Sequence, residues 1–245
     1  MIIDVHAHMD FLSEEKRKKV QENKKIKFVI TNSVNLESCK KNLEILKKFP
    51  KIRLAVGIYP EKEISSGDFK ELEEFVSKNK KEVVALGEIG LDLYETNENF
   101  ELQKEIFLKE LNLAKKLNLP VIIHTRKAEE EILEILENYK DLKIILHCFS
   151  GNFKLIKKGT EIGCYFSIPA NIVRSEHFQK MAAVVPKEKI LTETDSPLLS
   201  PFKDVENEPS FVEATIKKIS EIWETPEKEV EKQILKNSEN VFGKL

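Results

Sequence analysis

The segment Asp4-Val5-His6-Ala7-His8 follows the apolar run Met1-Ile2-Ile3. Successive side chains of an extended strand point to opposite faces, so His6 and His8 project the same way and offer two imidazoles to one point. That is a metal-site arrangement, although His-x-His by itself fits a pair of structural histidines equally well. The other candidates recur in the same setting. His124 closes Leu-Pro-Val-Ile-Ile-His, His147 closes Lys-Ile-Ile-Leu-His, Glu88 closes Val-Val-Ala-Leu-Gly-Glu and Asp195 closes Ile-Leu-Thr-Glu-Thr-Asp. Such groups at the ends of buried runs are costly without partners, and a shared ion supplies one. Several imidazoles with two carboxylates and no thiolate suit zinc or manganese better than magnesium or calcium. Six donors exceed what one catalytic ion takes while keeping an open position. Two divalent ions (zinc, manganese or magnesium) are therefore expected, with Glu88 a candidate bridge and metal-assisted hydrolysis the chemistry. His177 lies in a polar helical segment and is expected on the surface.

These residues need a scaffold that brings strand ends together. Eight strand candidates, 1–6, 26–33, 52–58, 83–88, 119–124, 143–148, 163–168 and 189–194, alternate with helical patterns. Phe107, Leu111, Ala114 and Leu117 recur at steps of three and four, as do Ile132, Ile135, Leu136 and Tyr139, among charged residues. Eight strand-helix repeats predict an α/β fold, a (β/α)8 TIM-type barrel formed as a single domain over residues 1–245. Parallel strands in such a barrel converge their carboxyl ends on one rim, where active sites lie. The rival is an open doubly wound sheet, but no Gly-x-Gly-x-x-Gly or Walker-type loop follows a strand. Residues 200–209 read as a long loop, and 210–223 and 226–240 as closing helices.

Bulk properties narrow the function classes. The 40 basic and 42 acidic residues nearly cancel, so no global basic field marks extended nucleic-acid binding and an anionic substrate must be held locally. Cys39, Cys148 and Cys164 are widely spaced, which argues against a disulfide framework and for a cytoplasmic location. Neither a signal peptide nor a membrane-spanning run is evident, and nothing calls for an obligate protein partner.

Five blocks carry a resemblance: Asp4-Val5-His6-Ala7-His8-Met9-Asp10, Gly87-Glu88-Ile89-Gly90-Leu91-Asp92, Ile123-His124-Thr125-Arg126, His147-Cys148-Phe149-Ser150-Gly151 and Glu193-Thr194-Asp195-Ser196-Pro197. Together with Asn207-Glu208-Pro209 and the closing Asn237-Ser238-Glu239-Asn240-Val241-Phe242, they resemble, in order, the motifs of the TatD family of metal-dependent deoxyribonucleases. The resemblance implies a barrel of the amidohydrolase superfamily and a dinuclear divalent site. It also implies phosphodiester hydrolysis from the 3′ end of DNA, with single strands or 3′ ends as partner. It carries His6, His8, Glu88, His124, His147 and Asp195 over as metal ligands. Glu88 and Asp195 are the candidate catalytic residues, and Asp195 is placed to orient or deprotonate the attacking water. Arg126, two residues after His124, offers a planar fork to a phosphate, and a salt bridge is its bland alternative. Asp92 and Glu193 are candidates to fix the histidines, and capping a helix is the alternative for either. Two positions depart from the family: Tyr59 stands where His is common, and Leu93 where Tyr is common. A phenol at position 59 still reaches substrate by hydrogen bonding but does not act as a base near neutral pH. The competing expectations are hydrolysis of a small-molecule or aminoacyl ester or amide, and a binding barrel without chemistry.

Overall fold

Helix α4 (Phe100–Leu117) shows how pattern becomes packing in this chain. Ile106, Phe107, Leu111, Leu113 and Ala114 are all buried, while lysines and glutamates fill the outer face. Each large apolar side chain so covered contributes about 1.5–3 kcal/mol. The helix ends at Asn118, whose left-handed backbone (φ 54°) turns the chain. Pro120, lacking an N–H, delays the following strand to Val121.

The computed structural model describes residues 1–61, 63–94 and 98–245. Its strands are β1 (Ile2–Ala7), β2 (Ile26–Asn32), β3 (Ile52–Val56), β4 (Val83–Asp92), β5 (Val121–Arg126), β6 (Ile144–His147), β7 (Tyr165–Ile168) and β8 (Ile190–Thr192). The remaining helices among the described residues are α1 (Glu14–Glu22), α2 (Leu36–Lys48), α3 (Asp68–Lys78), α5 (Glu129–Leu136), α6 (Phe153–Ile162), α7 (Glu176–Val184), α8 (Val212–Trp223) and α9 (Glu227–Phe242). The eight strands follow one another in sequence order in one sheet, and every pairing described in detail is parallel. Alternation of these strands with helices is the (β/α)8 TIM-type class. The near-complete burial of β1, β6, β7 and β8 is that of a parallel sheet covered on both faces. No helix among the described residues is long and apolar enough to cross a membrane.

Contacts divide the chain into two compact units. The first comprises Met1–Thr31, Glu44–Arg53 and Phe166–Leu245. In it β1 pairs with β2 through Ile3↔Phe28 and Asp4↔Val29, and β7 with β8 through Phe166↔Ile190. β8 is tied to β1 where Thr192 Oγ1 donates to the Ile3 carbonyl (2.6 Å). From α9, Asn237 Nδ2 donates to the Lys187 and Ile190 carbonyls (both 2.7 Å) and so fixes the start of β8.

The second unit comprises Asn32–Leu43 and Leu54–Tyr165. It carries the ladder from Leu54 of β3 through β4 and β5 to β6. Expected and observed boundaries differ most at β4, which runs past Glu88 to Asp92 because the ladder continues through Gly90↔His124 and Asp92↔Arg126. Glu88 therefore sits inside a strand rather than at its end. β5 is shifted to 121–126 by Pro120, and Tyr139 falls beyond the end of α5 at Leu136. β7 starts at Tyr165 because Gly163, at φ 101°, caps α6.

Candidate metal centre

In the first unit β1 and β8 deliver three donors side by side. The Asp195 N–H donates to the His6 carbonyl and the His8 N–H to the Ser196 carbonyl, both at 2.8 Å. The backbones of β1 and the segment after β8 are thus locked in register beside each other. His6 Nε2 and His8 Nε2 both face Asp195 Oδ1, at 3.6 and 3.4 Å. All three residues are buried, and their ligand atoms lie within 4.8 Å of one another. These separations exceed a good hydrogen bond. They match the roughly 3.4 Å between two donors each about 2.1 Å from a tetrahedral ion. The donor set thus fits a divalent first-row ion. Asp195 reaches this position with a left-handed backbone (φ 58°), a conformation aspartate tolerates better than most residues.

Asp4 fixes the frame. Its Oδ1 accepts the N–H groups of His6 (3.2 Å) and Thr194 (3.0 Å), and its Oδ2 accepts the Thr194 hydroxyl (2.5 Å). Complete burial pushes this carboxyl well above the usual range, and the bonds from Thr194 and His6 oppose that rise. Asn207 Nδ2 donates to the Thr194 and Leu198 carbonyls (2.7 and 2.5 Å), pinning the loop after β8. Glu193, expected to steady a histidine, is buried with its N–H on the Ile168 carbonyl (3.1 Å). His177 is half-buried on α7, its ring edge-on to Phe178.

The second unit assembles another group. Glu88 Oε1 lies 2.9 Å from His124 Nδ1 and 3.8 Å from His147 Nε2. His124 Nε2 lies 3.0 Å from Asp92 Oδ2, so the ring bridges two carboxylates. Sequence accounts for this: Gly90, the partner of His124 in the ladder, lies between Glu88 and Asp92. A β-carbon at Gly90 would collide with the His124 carbonyl, and its φ of 147° is one that glycine alone adopts readily. Burial pulls the His124 imidazole down, but hydrogen bonds to Asp92 and then Glu88 outweigh it and leave its pKa raised. Burial likewise pushes Asp92 up, and its bonds with His124 and the Tyr94 N–H reverse this, leaving it lowered.

Tyr59 caps the pair, its hydroxyl donating to Asp92 Oδ2 (3.1 Å) and lying 3.3 Å from His124 Nε2. Burial, followed by the charges of Glu88 and Asp92, pushes the phenol up and keeps its proton in place. That one proton is therefore engaged by Asp92. Arg126 Nη1 stands 3.9 Å from Asp92 Oδ2, and its guanidinium stacks 3.7 Å from the Tyr94 ring centroid.

Two residues of α4 hold this group from behind. Gln103 accepts the Asp92 N–H (2.9 Å) and donates to the Asp92 carbonyl (3.0 Å). Glu110 accepts the Ile58 N–H (2.8 Å), immediately before Tyr59. Neither stands out in the sequence as a site residue. The available signal is a Gln and a Glu seven positions apart on the stripe that buries Phe107 and Leu111. Asp4 was visible in the same way, as a carboxylate inside Ile2-Ile3-Asp4-Val5.

The chain that carries these two histidine-carboxylate groups is a metal-dependent hydrolase, as its family and relatives show. Residues 3–243 match the model of the TatD-related DNase family, and the chain belongs to that family. A metal-dependent hydrolase of Methanocaldococcus jannaschii is 36% identical over 98% of this chain and 96% of its own. Human deoxyribonuclease TATDN3 is 34% identical over 69% of this chain and 64% of its own. Among solved structures, a TatD homologue of Escherichia coli superposes with a TM-score of 0.91 at 24% identity, covering 100% of this chain and 98% of the other, a likeness of fold.

Proposed function

We propose that the protein is a deoxyribonuclease that hydrolyses phosphodiester bonds from the 3′ end of DNA, using two divalent ions. One ion would be held by His6, His8 and Asp195, the other by Glu88 with His124 and His147. The observation that carries this reading is the convergence of His6 Nε2 and His8 Nε2 on Asp195 Oδ1 at ion-sharing rather than hydrogen-bonding distance. Its support from relatives is the name of the human protein, a deoxyribonuclease.

Divalent ions bound to such donors polarise a phosphoryl oxygen and make water acidic enough to attack near neutral pH. Asp195, kept in place by its N–H bond to His6, orients the water and takes its proton. The water oxygen bonds to phosphorus, the bond to the leaving sugar oxygen breaks, and the proton passes to that oxygen. Arg126 offers a permanently charged fork to the phosphate. Asp92 and Tyr59 keep the His124 ring oriented.

The test is nucleotide release from single-stranded DNA with magnesium, manganese or zinc, comparing wild type with Glu88→Ala. Release by wild type and its loss in the variant are expected. No release under any divalent ion, with turnover of a carboxylic ester or cyclic amide instead, would replace this reading with the small-molecule one.

A further inference from the structure

Tyr94 is absent from the reading above, yet it is one of the more exposed large side chains, at 56%. It is also firmly attached to the site. Its N–H donates to Asp92 Oδ1 (2.8 Å), and the other oxygen of that carboxylate contacts His124 Nε2 (3.0 Å). Arg126 lies over the ring at 3.7 Å, and Lys127 Nζ stands 5.3 Å from its centroid. Lys127 has a left-handed backbone (φ 57°) at the exit of β5.

An exposed aromatic ring with two cations lying over it has a specific use. Base-aromatic stacking tolerates any sequence, because every base has a π-face, and cations beside the ring take the adjoining phosphates. A guanidinium already stacked on tyrosine extends the flat surface while its edge donates to phosphate. A buried structural tyrosine would be covered, and the bond from the Tyr94 N–H to Asp92 sets where this exposed ring stands relative to His124.

We infer that Tyr94, with Arg126 stacked on it and Lys127 beside it, is a base-stacking subsite that binds a nucleotide of single-stranded nucleic acid next to the hydrolysed phosphate. The inference rests on the phosphodiester reading for the word hydrolysed, while the stacking itself is measurable as binding. Such a subsite takes unpaired, planar bases without regard to identity. It also supplies local positive charge in a chain whose overall charge is -2.

The experiment compares a fluorescent five-residue oligothymidylate with its counterpart containing 5,6-dihydrothymine, which keeps sugar, phosphate and hydrogen-bonding edges but has a puckered ring that stacks poorly. Equilibrium binding and nucleotide release are measured for wild type, Tyr94→Phe and Tyr94→Ala in the presence of a divalent ion. Wild type and Tyr94→Phe should favour the planar oligonucleotide about tenfold, and Tyr94→Ala should bind the two alike. In turnover the loss should appear in KM rather than kcat. Equal binding of the two oligonucleotides by wild type, or an undiminished preference in Tyr94→Ala, would overturn the inference. A Tyr94-dependent preference without nucleotide release would uphold the subsite and instead remove the nuclease reading.

Discussion

Gln103 grips Asp92 by both backbone polar groups, its Oε1 accepting the Asp92 N–H and its Nε2 donating to the Asp92 carbonyl. One buried amide side chain thereby sets the height at which the Asp92 carboxylate meets His124. Gln103→Leu leaves those groups without that partner, at roughly 1–3 kcal/mol for each one orphaned. Urea unfolding should show the loss, and hydrolysis should fall beyond what the remaining folded fraction explains. Full activity in the folded variant would show that the position of Asp92 is immaterial.

Tyr59→Phe tests the hydroxyl shared by Asp92 and His124. Removing one hydrogen bond to a charged group costs about 1.5–3 kcal/mol. The expected result is hydrolysis reduced at least several-fold with divalent-ion content unchanged. Loss of an ion would mean that Tyr59 affects ligation itself, and unchanged kinetics would leave it a packing residue.

Replacing His6 and His8 together with Ala should remove one equivalent of divalent ion, measured by elemental analysis after dialysis. Most activity should go with it, while the far-ultraviolet circular dichroism of the folded chain persists. Unchanged metal content would refute the assignment of this pair.

Glu110 offers a pH signature. Complete burial pushes its carboxyl well above the ordinary value, opposed only by the bond from the Ile58 N–H. Below the unfolded-state pKa, about 4.3, both states hold the proton and its stabilising contribution is fully present. As pH rises the unfolded chain releases the proton first, so that contribution declines until pH passes the folded pKa. Glu110→Gln, which keeps the acceptor, should therefore gain stability relative to wild type as pH is raised from 4 to 9 in thermal unfolding. A constant difference between the two would remove the carboxyl from this account.

The eight apolar runs and the histidines at or near their ends were readable because strand burial and two-residue alternation are local. The order β1 to β8 followed from the same repetition. What escaped depends on residues remote in the chain. Glu88 belongs to the middle of β4 because β5 continues to pair with it, and no local pattern beyond Gly87 announces that. Tyr59 reaches Asp92 across 33 positions, and Glu110 reaches Ile58 across 52. Glu110 reads as an ordinary helix glutamate until that partner is placed, and Tyr59, singled out as a departure with a hydroxyl for substrate, gives no sign that Asp92 is its partner. Tyr94 carries no signal of its own in the sequence, since the stacked Arg126 comes from another strand.

The bonds from Asp4 to Thr194 join positions 190 apart. On the ribosome, His6 and His8 emerge long before the carboxylate they share. A nascent or prematurely ended chain that stops before Asp195 has two imidazoles and no third donor at this point, so it cannot complete this group. On the proposed assignment, competence for the chemistry would thus arise late in synthesis, once Asp195 has been added.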